Sequence, residues 1–395
     1  MKSLYCQICL ILFLTQIVCL AQETVNGTII HDGMERSYIL YIPDSYTGDI
    51  PVPLVLNFHG WTSTAQAQMF YGDFRSIADQ EGFLVIHPQG TLFQGNTHWN
   101  VGGWTVGSTV DDVGFTSALL DSISEEYNIN QERIYSTGMS NGGFMSFLLA
   151  CQLSNRIAAI ASVTGSMTPE TYNNSNPLHP TPIMQMHGTS DDLVLYGGTD
   201  WSRSIDDVLS YWVDYNDCDT TPIITALPDL DPNDGSTVEH YVFDNGNNGV
   251  KVEHFKITGG GHTWPGNLYG GAGTNYDINA SDEIWNFFSK YDINGVINPV
   301  GIEISDPGYE IMGNFPNPFN PVTKIYFELR INASVNILIY NTKGEIVKNL
   351  LSNRNLKSGL HKIEFDGSNL VSGQYLYKII IDGKSSHTKK MVLIR

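Results

Sequence analysis

The stretch RIYSTGMSNGGFMSFLLACQLSNR, residues 133–156, decides how the chain reads. Its first part is a short run of strand-forming residues. Its second part is apolar and lacks strand alternation, so the segment predicts a strand turning sharply into a helix. Ser140 sits in that turn between Gly138 and Gly142. A nucleophile elbow needs this arrangement, because so tight a turn leaves room only for small neighbours. Standing alone the string is equally a turn serine, since a chain with 38 glycines can place two of them around a serine by chance.

Working outward, PLVLNFHG (53–60), FLVIHP (83–88), IAAIASVTG (157–165) and PIMQMHG (182–188) read as buried strands. AQMFYGDFRSIADQEG (67–82), DDVGFTSALLDSISEEY (111–127) and WSRSIDDVLSYWVDY (201–215) read as helices between or after them. Strands alternating with helices predict an α/β domain, a mostly parallel sheet covered on both faces. Reactive groups in such sheets gather at the carboxyl ends of strands. Composition changes near residues 294–305. Beyond it KIYFEL, SVNILIYN, HKIEFDG, QYLYKIII and KKMVLIR are short alternating strands broken by Gly, Asn and Asp, which predicts a small all-β sandwich.

The first 21 residues combine Lys2, an apolar run over 8–20 and small residues at Cys19 and Ala21, the layout of a signal peptide cleaved before Gln22. The expected organisation is a signal peptide (1–21), a main domain (22–295), a linker (296–309) and a β-sandwich (310–395). No segment approaches the roughly 20 apolar residues of a membrane span, so no integral membrane segment is expected after leader removal. Of five cysteines, Cys6, Cys9 and Cys19 lie in the leader, leaving Cys151 and Cys218. In an exported protein these two are either a disulfide or two buried thiols.

Of the chain's 21 Lys+Arg and 41 Asp+Glu, residues 301–395 hold 12 and 8, so the acidic excess belongs to the first 300 residues. A main domain that acidic repels nucleic acid and anionic membranes, which excludes both as partners.

An elbow serine needs an acid and a histidine downstream at strand ends. Asp191 and Asp192 follow the strand PIMQMHG, and His262 follows HFKITGG in a glycine-rich loop beside Trp264. His59, before Gly60, suits loop anchoring better than catalysis. The loop over 95–112 carries Trp99 and Trp104 among small residues. With Trp264 these either wall a substrate pocket or pack the loop down. No histidine, cysteine or carboxylate spacing points to a metal, and no cofactor is expected.

Taken together, NFHGWTSTA, DDVGF, GMSNGGFM, HGTSDDLVLY and GGGHTWPG, in this order, resemble the secreted esterases grouped as polyhydroxybutyrate depolymerase-like and as feruloyl or acetylxylan esterases of the carbohydrate esterase 1 group. The resemblance spans about residues 30–290. It implies an α/β-hydrolase fold with Ser140 as nucleophile, His262 as base and Asp191, the fifth residue of HGTSD, as acid. Asp192 is the alternative acid. The family usually has Pro where Leu195 stands, a departure that bears on the loop. The oxyanion donors expected are the backbone N–H groups of Asn141 and Trp61. Residues 310–395, with NFPNPFNPVTKIYFEL and the terminal KKMVLIR, resemble the C-terminal sorting domain of type IX secretion substrates, which implies the secretion machinery as partner and release or attachment at the cell surface.

The expectation is therefore a secreted monomeric serine esterase acting on feruloyl or acetyl esters of plant polysaccharide. A polyester depolymerase is the alternative substrate class, and an inactive surface binding protein the alternative of another kind.

Overall fold

The computed structural model describes residues 23–297 and 309–395 apart from Gly383, so the leader expected at 1–21 and most of the expected linker lie outside the described residues. The chain forms two compact units, Met1–Ile297 and Asn298–Arg395.

Apolar runs wholly buried on both faces can only be inner strands of a covered sheet, and the first unit is built on them. The strands of its main sheet are β1 (Glu23–His31), β2 (Met34–Ile42), β3 (Val52–Phe58), β4 (Leu84–Pro88), β5 (Ile129–Met139), β6 (Ala159–Val163), β7 (Ile183–Gly188), β8 (Ile223–Ala226), β9 (Thr237–Phe243) and β10 (Val252–Thr258). They form one ten-stranded sheet in the order β1-β2-β4-β3-β5-β6-β7-β10-β9-β8. The six strands from β4 to β10 in that order are parallel, and antiparallel pairs close both edges. Those edge strands were not legible, because β1 and β8 are exposed and carry no apolar run.

Among the described residues there are seven α-helices: α1 (Ala65–Tyr71), α2 (Arg75–Glu81), α3 (Asp112–Glu126), α4 (Asn141–Gln152), α5 (Pro169–Asn173), α6 (Ile205–Asn216) and α7 (Ala280–Phe288). Side-chain caps set several starts: Thr64 accepts from the Ala67 amide, Asp111 from Gly114 and Ser204 from Asp207. The single helix expected over 67–82 is two, broken at Gly72, where a Cβ would press on the Trp264 ring and Gln68. Two cores lie on opposite faces of the sheet. Leu54, Leu56 and Phe58 pack with α3, α4 and α6, whereas Val55, Val85 and Ala161 pack with α2 and α7.

The described residues of the second unit form seven antiparallel strands: β11 (Tyr309–Phe315), β12 (Val322–Leu329), β13 (Ala333–Asn341), β14 (Ile346–Leu356), β15 (Gly359–Asp366), β16 (Gly373–Ile381) and β17 (Lys384–Leu393). They form sheets β11-β12-β15 and β14-β13-β16-β17. The strict alternation of burial along β13 turns Val335, Ile337 and Ile339 into a core shared with Ile325, Phe327 and Phe365 of the other sheet.

Candidate active site

Ser140 ends β5 and opens α4 with φ 54° and ψ −120°. A serine at a helix start normally caps it by accepting from an amide one turn on. Ser140 makes no such bond, so its hydroxyl is left for other work. The backbone pays for the turn with close packing. A Cβ on Gly142 would lie 2.1 Å from the Phe58 carbonyl oxygen, and one on Gly138 would lie 2.6 Å from the same atom. Only glycine permits β3 to pass this near the elbow.

Asp191 and His262 come to the same carboxyl edge, from the loops after β7 and β10. His262 Nδ1 donates to Asp191 Oδ2 at 2.8 Å. Asp191 Oδ1 accepts from the amides of Leu193 at 3.0 Å and Val194 at 2.9 Å. Burial pushes the Asp191 carboxyl upward, but the hydrogen bond and charge of His262, the charge of His187 and the Val194 amide outweigh it and leave the group below its ordinary value. It is an anion held by three donors, the His262 ring and the amides of Leu193 and Val194. With Nδ1 committed to this anion, Nε2 is the basic nitrogen left on the His262 ring. Asp192 is exposed, and the carboxylate that meets His262 is that of Asp191. Among the described residues no hydrogen bond joins Ser140 Oγ to His262; such contacts often close only around substrate.

Two backbone amides flank the elbow. Gly60 lies against it, its Cβ position 3.4 Å from Ser140 Cβ, and Trp61 follows. Asn141, the first residue of α4, presents its amide at the positive end of the helix. Among the described residues neither the Trp61 nor the Asn141 amide has a protein acceptor. His59 anchors this loop. It accepts from the Gly90 amide at Nε2, 3.0 Å, and donates from Nδ1 to the Gly60 carbonyl, 2.7 Å. Burial lowers its pKa to about 4, so the ring is a neutral strut.

Residues 36–211 match the family described as esterase PHB depolymerase, and residues 314–394 match the secretion system C-terminal sorting domain. Over residues 36–211 the main unit is similar to that family. The chain is 28% identical over 280 residues to a bifunctional acetylxylan esterase/xylanase of Neocallimastix patriciarum, covering 71% of this chain and 37% of that protein. It is 29% identical over 239 residues to feruloyl esterase B of Piromyces equi, covering 58% and 42%. The chain thus spans about two fifths of the length of these relatives. An acetyl xylan esterase structure from Aspergillus awamori superposes with a TM-score of 0.50 at 15% identity, covering 68% of this chain and 99% of that one. This places the main unit in the α/β-hydrolase fold. The sorting domain places the protein outside the cell or at its surface, and among the described residues no helix is long and apolar enough to cross a membrane.

Two expectations for the main unit need correction, and of the two readings left open for Cys151 and Cys218 the structure shows the second. Trp99 does not wall a pocket: it is fully buried, packed edge-on against Phe58 at 4.9 Å. Trp264 is 2% exposed and donates its indole N–H to Ser281; it borders a cavity of about 160 Å³ with Phe70, Asn267 and Tyr269, and its ring makes no contact with that of Trp104. Cys151 and Cys218 are free thiols, both packed in the core on the α4 face as small apolar groups.

Trp104 remains half-buried, and here the structure adds residues that sequence reading missed. The Trp104 ring meets Trp201 at 4.9 Å, Phe144 at 5.0 Å and Trp61 at 6.2 Å, all edge-to-face. Phe144 lies one helical turn beyond Ser140, so this aromatic wall stands beside the elbow. Trp201, read from the sequence as the start of a helix, sits in the loop before α6, which begins at Ile205. His187 was also missed, although it opens the HGTSD string. Its Nε2 donates to the Val194 carbonyl at 2.8 Å and lies 3.4 Å from Asp191 Oδ2.

Proposed function

We propose that the main unit is a serine carboxyl-ester hydrolase. His262 Nε2 takes the Ser140 proton as Oγ attacks the ester carbonyl, and Asp191 holds the imidazole tautomer and stabilises its charged form. The carbonyl oxygen becomes an anion received by the amides of Asn141 and Trp61. Collapse releases the alcohol, protonated by His262, and leaves an acyl group on Ser140. Water activated by the same imidazole then hydrolyses it. The observation that carries this reading is the 2.8 Å His262–Asp191 bond at the sheet edge where Ser140 stands uncapped at positive φ.

The substrate class proposed is feruloyl or acetyl esters of plant polysaccharide. The half-buried Trp61, Trp104 and Trp201 offer edges and faces on which a phenolic acyl group or a sugar ring packs, and relatives named for feruloyl and acetylxylan esterase activity support it. The C-terminal unit supports delivery by the type IX machinery, and the enzyme is proposed to act as a monomer. The test is a panel of methyl ferulate, acetylated xylan, polyhydroxybutyrate and an aromatic polyester. Preference for the first two is expected. Preference for a polyester transfers the assignment to the polyester depolymerases, and hydrolysis of none favours a binding protein on a hydrolase fold.

A further inference from the structure

The two proposed oxyanion donors come from segments far apart in sequence, the β3–α1 loop and the start of α4. Their separation must hold to a fraction of an ångström, because a donor misplaced by that much loses most of its effect on the transition state. Neither segment sets the spacing alone. We propose that Trp99 is a positioning residue that fixes both donors, in partnership with the side chain of Asn141. This inference rests on the esterase reading above.

Trp99 makes three hydrogen bonds, and each ends on one side of the hole. Its backbone N–H donates to Asn141 Oδ1 at 2.7 Å, and its carbonyl accepts from Asn141 Nδ2 at 3.1 Å. The Asn141 side chain thereby pairs with a main chain as one strand pairs with another, and residue 141 cannot swing without breaking both bonds. From its other end, the Trp99 indole N–H donates to the His59 carbonyl at 2.9 Å. His59 precedes the Gly60–Trp61 amide by one residue. The ring is wedged by Phe58 at 4.9 Å and by His59 at 5.0 Å. Both Trp99 and Asn141 are completely buried, so water cannot substitute for a lost partner.

The neighbours of Trp99 extend the brace. Thr97 accepts the Thr62 amide at 2.9 Å, fixing the residue after Trp61. On the other side, the Asn100 amide donates to Asp112 Oδ2 at 2.8 Å, and Arg36 holds the other oxygen of Asp112 at 2.6 Å in a buried pair. Residues 97–100 therefore span the elbow and the β3–α1 loop while tied to the sheet behind them.

The test uses the full chain with Trp99→Phe and Asn141→Ser, and Trp212→Phe as the matched control. Trp212 is equally buried but its indole nitrogen has no partner, so its replacement removes the same atoms without a hydrogen bond. With 4-nitrophenyl acetate as substrate, both clamp variants are expected to lower kcat at least about tenfold while KM stays within about twofold. Phenylboronic acid, which forms a tetrahedral adduct on the serine, should bind them more weakly by a similar factor. Trp212→Phe should match wild type in kcat and boronate affinity. A folded clamp variant with wild-type kcat and boronate affinity overturns the proposal, as does a fall in kcat without a fall in boronate affinity. If both clamp variants fail to fold where Trp212→Phe folds, the clamp is a folding element and the proposal is likewise overturned. Failure of wild type to form the boronate adduct overturns the esterase reading instead.

Discussion

Asp191 touches His262 through one oxygen and the amides of Leu193 and Val194 through the other, so its position is set by the backbone of its own loop. An acid held in this way orients the imidazole without needing to move during the reaction. Asp191→Asn keeps the shape but offers the imidazole an amide in place of an anion. Turnover of 4-nitrophenyl acetate should fall by about 10³–10⁴, whereas Asp192→Asn, at an exposed site, should change it less than about threefold. Steady-state kinetics of the two variants check this, and the reverse ranking would move the acid to Asp192.

Ser140 holds a backbone conformation that favours glycine, with φ 54°. Strain of this kind costs on the order of 1 kcal/mol or more. Ser140→Gly should therefore abolish turnover yet raise the melting temperature by about 2–4 °C. Thermal unfolding of variant and wild type decides it; a lower melting temperature in the variant would remove strain from the account of the elbow.

His87 on β4 is wholly buried, and burial lowers its pKa to about 3. Burial does the same to His254, to about 3, and to His59, to about 4. The unfolded chain takes up these protons near the ordinary pKa of about 6.5, and the folded chain does not. Their depressed values mean that stability is intact above about pH 6.5 and is lost progressively as pH falls towards the folded values. The melting temperature should drop across that window, and His87→Leu should make the drop shallower. A variant curve parallel to wild type would show that His87 is not a source of it.

Burial pushes the Cys151 thiol up to about 12 and the Cys218 thiol up to about 11, so both stay protonated and inert. Protein lacking the leader should titrate no thiols when native and two when denatured without reductant. Zero thiols under both conditions would establish a disulfide.

Legibility followed chemistry that a short string can carry. The strands from β3 to β7 announce themselves as apolar runs, with Ser140 after β5 and Asp191 after β7, and His262 follows β10 in a run of three glycines. Trp99 and Trp104 sit five residues apart in the same loop, and nothing in their order says that one is a buried brace and the other a half-exposed wall. That difference is made by long-range partners, Asn141 and His59 for the first and Trp61 and Trp201 for the second. The order of residues does not choose between a disulfide and two thiols for Cys151 and Cys218, for a related reason. Each thiol is enclosed by its own packing, Cys151 beside Ser175 on α4 and Cys218 beside Gly246.

The central claim is that Ser140 is an activated nucleophile, and a fluorophosphonate probe reads it directly. Intact mass and peptide mapping of the full chain should show one adduct, on Ser140, with none in Ser140→Ala and labelling slowed by orders of magnitude in His262→Ala. Folded wild-type protein that stays unlabelled, or labelling at another residue, would contradict it.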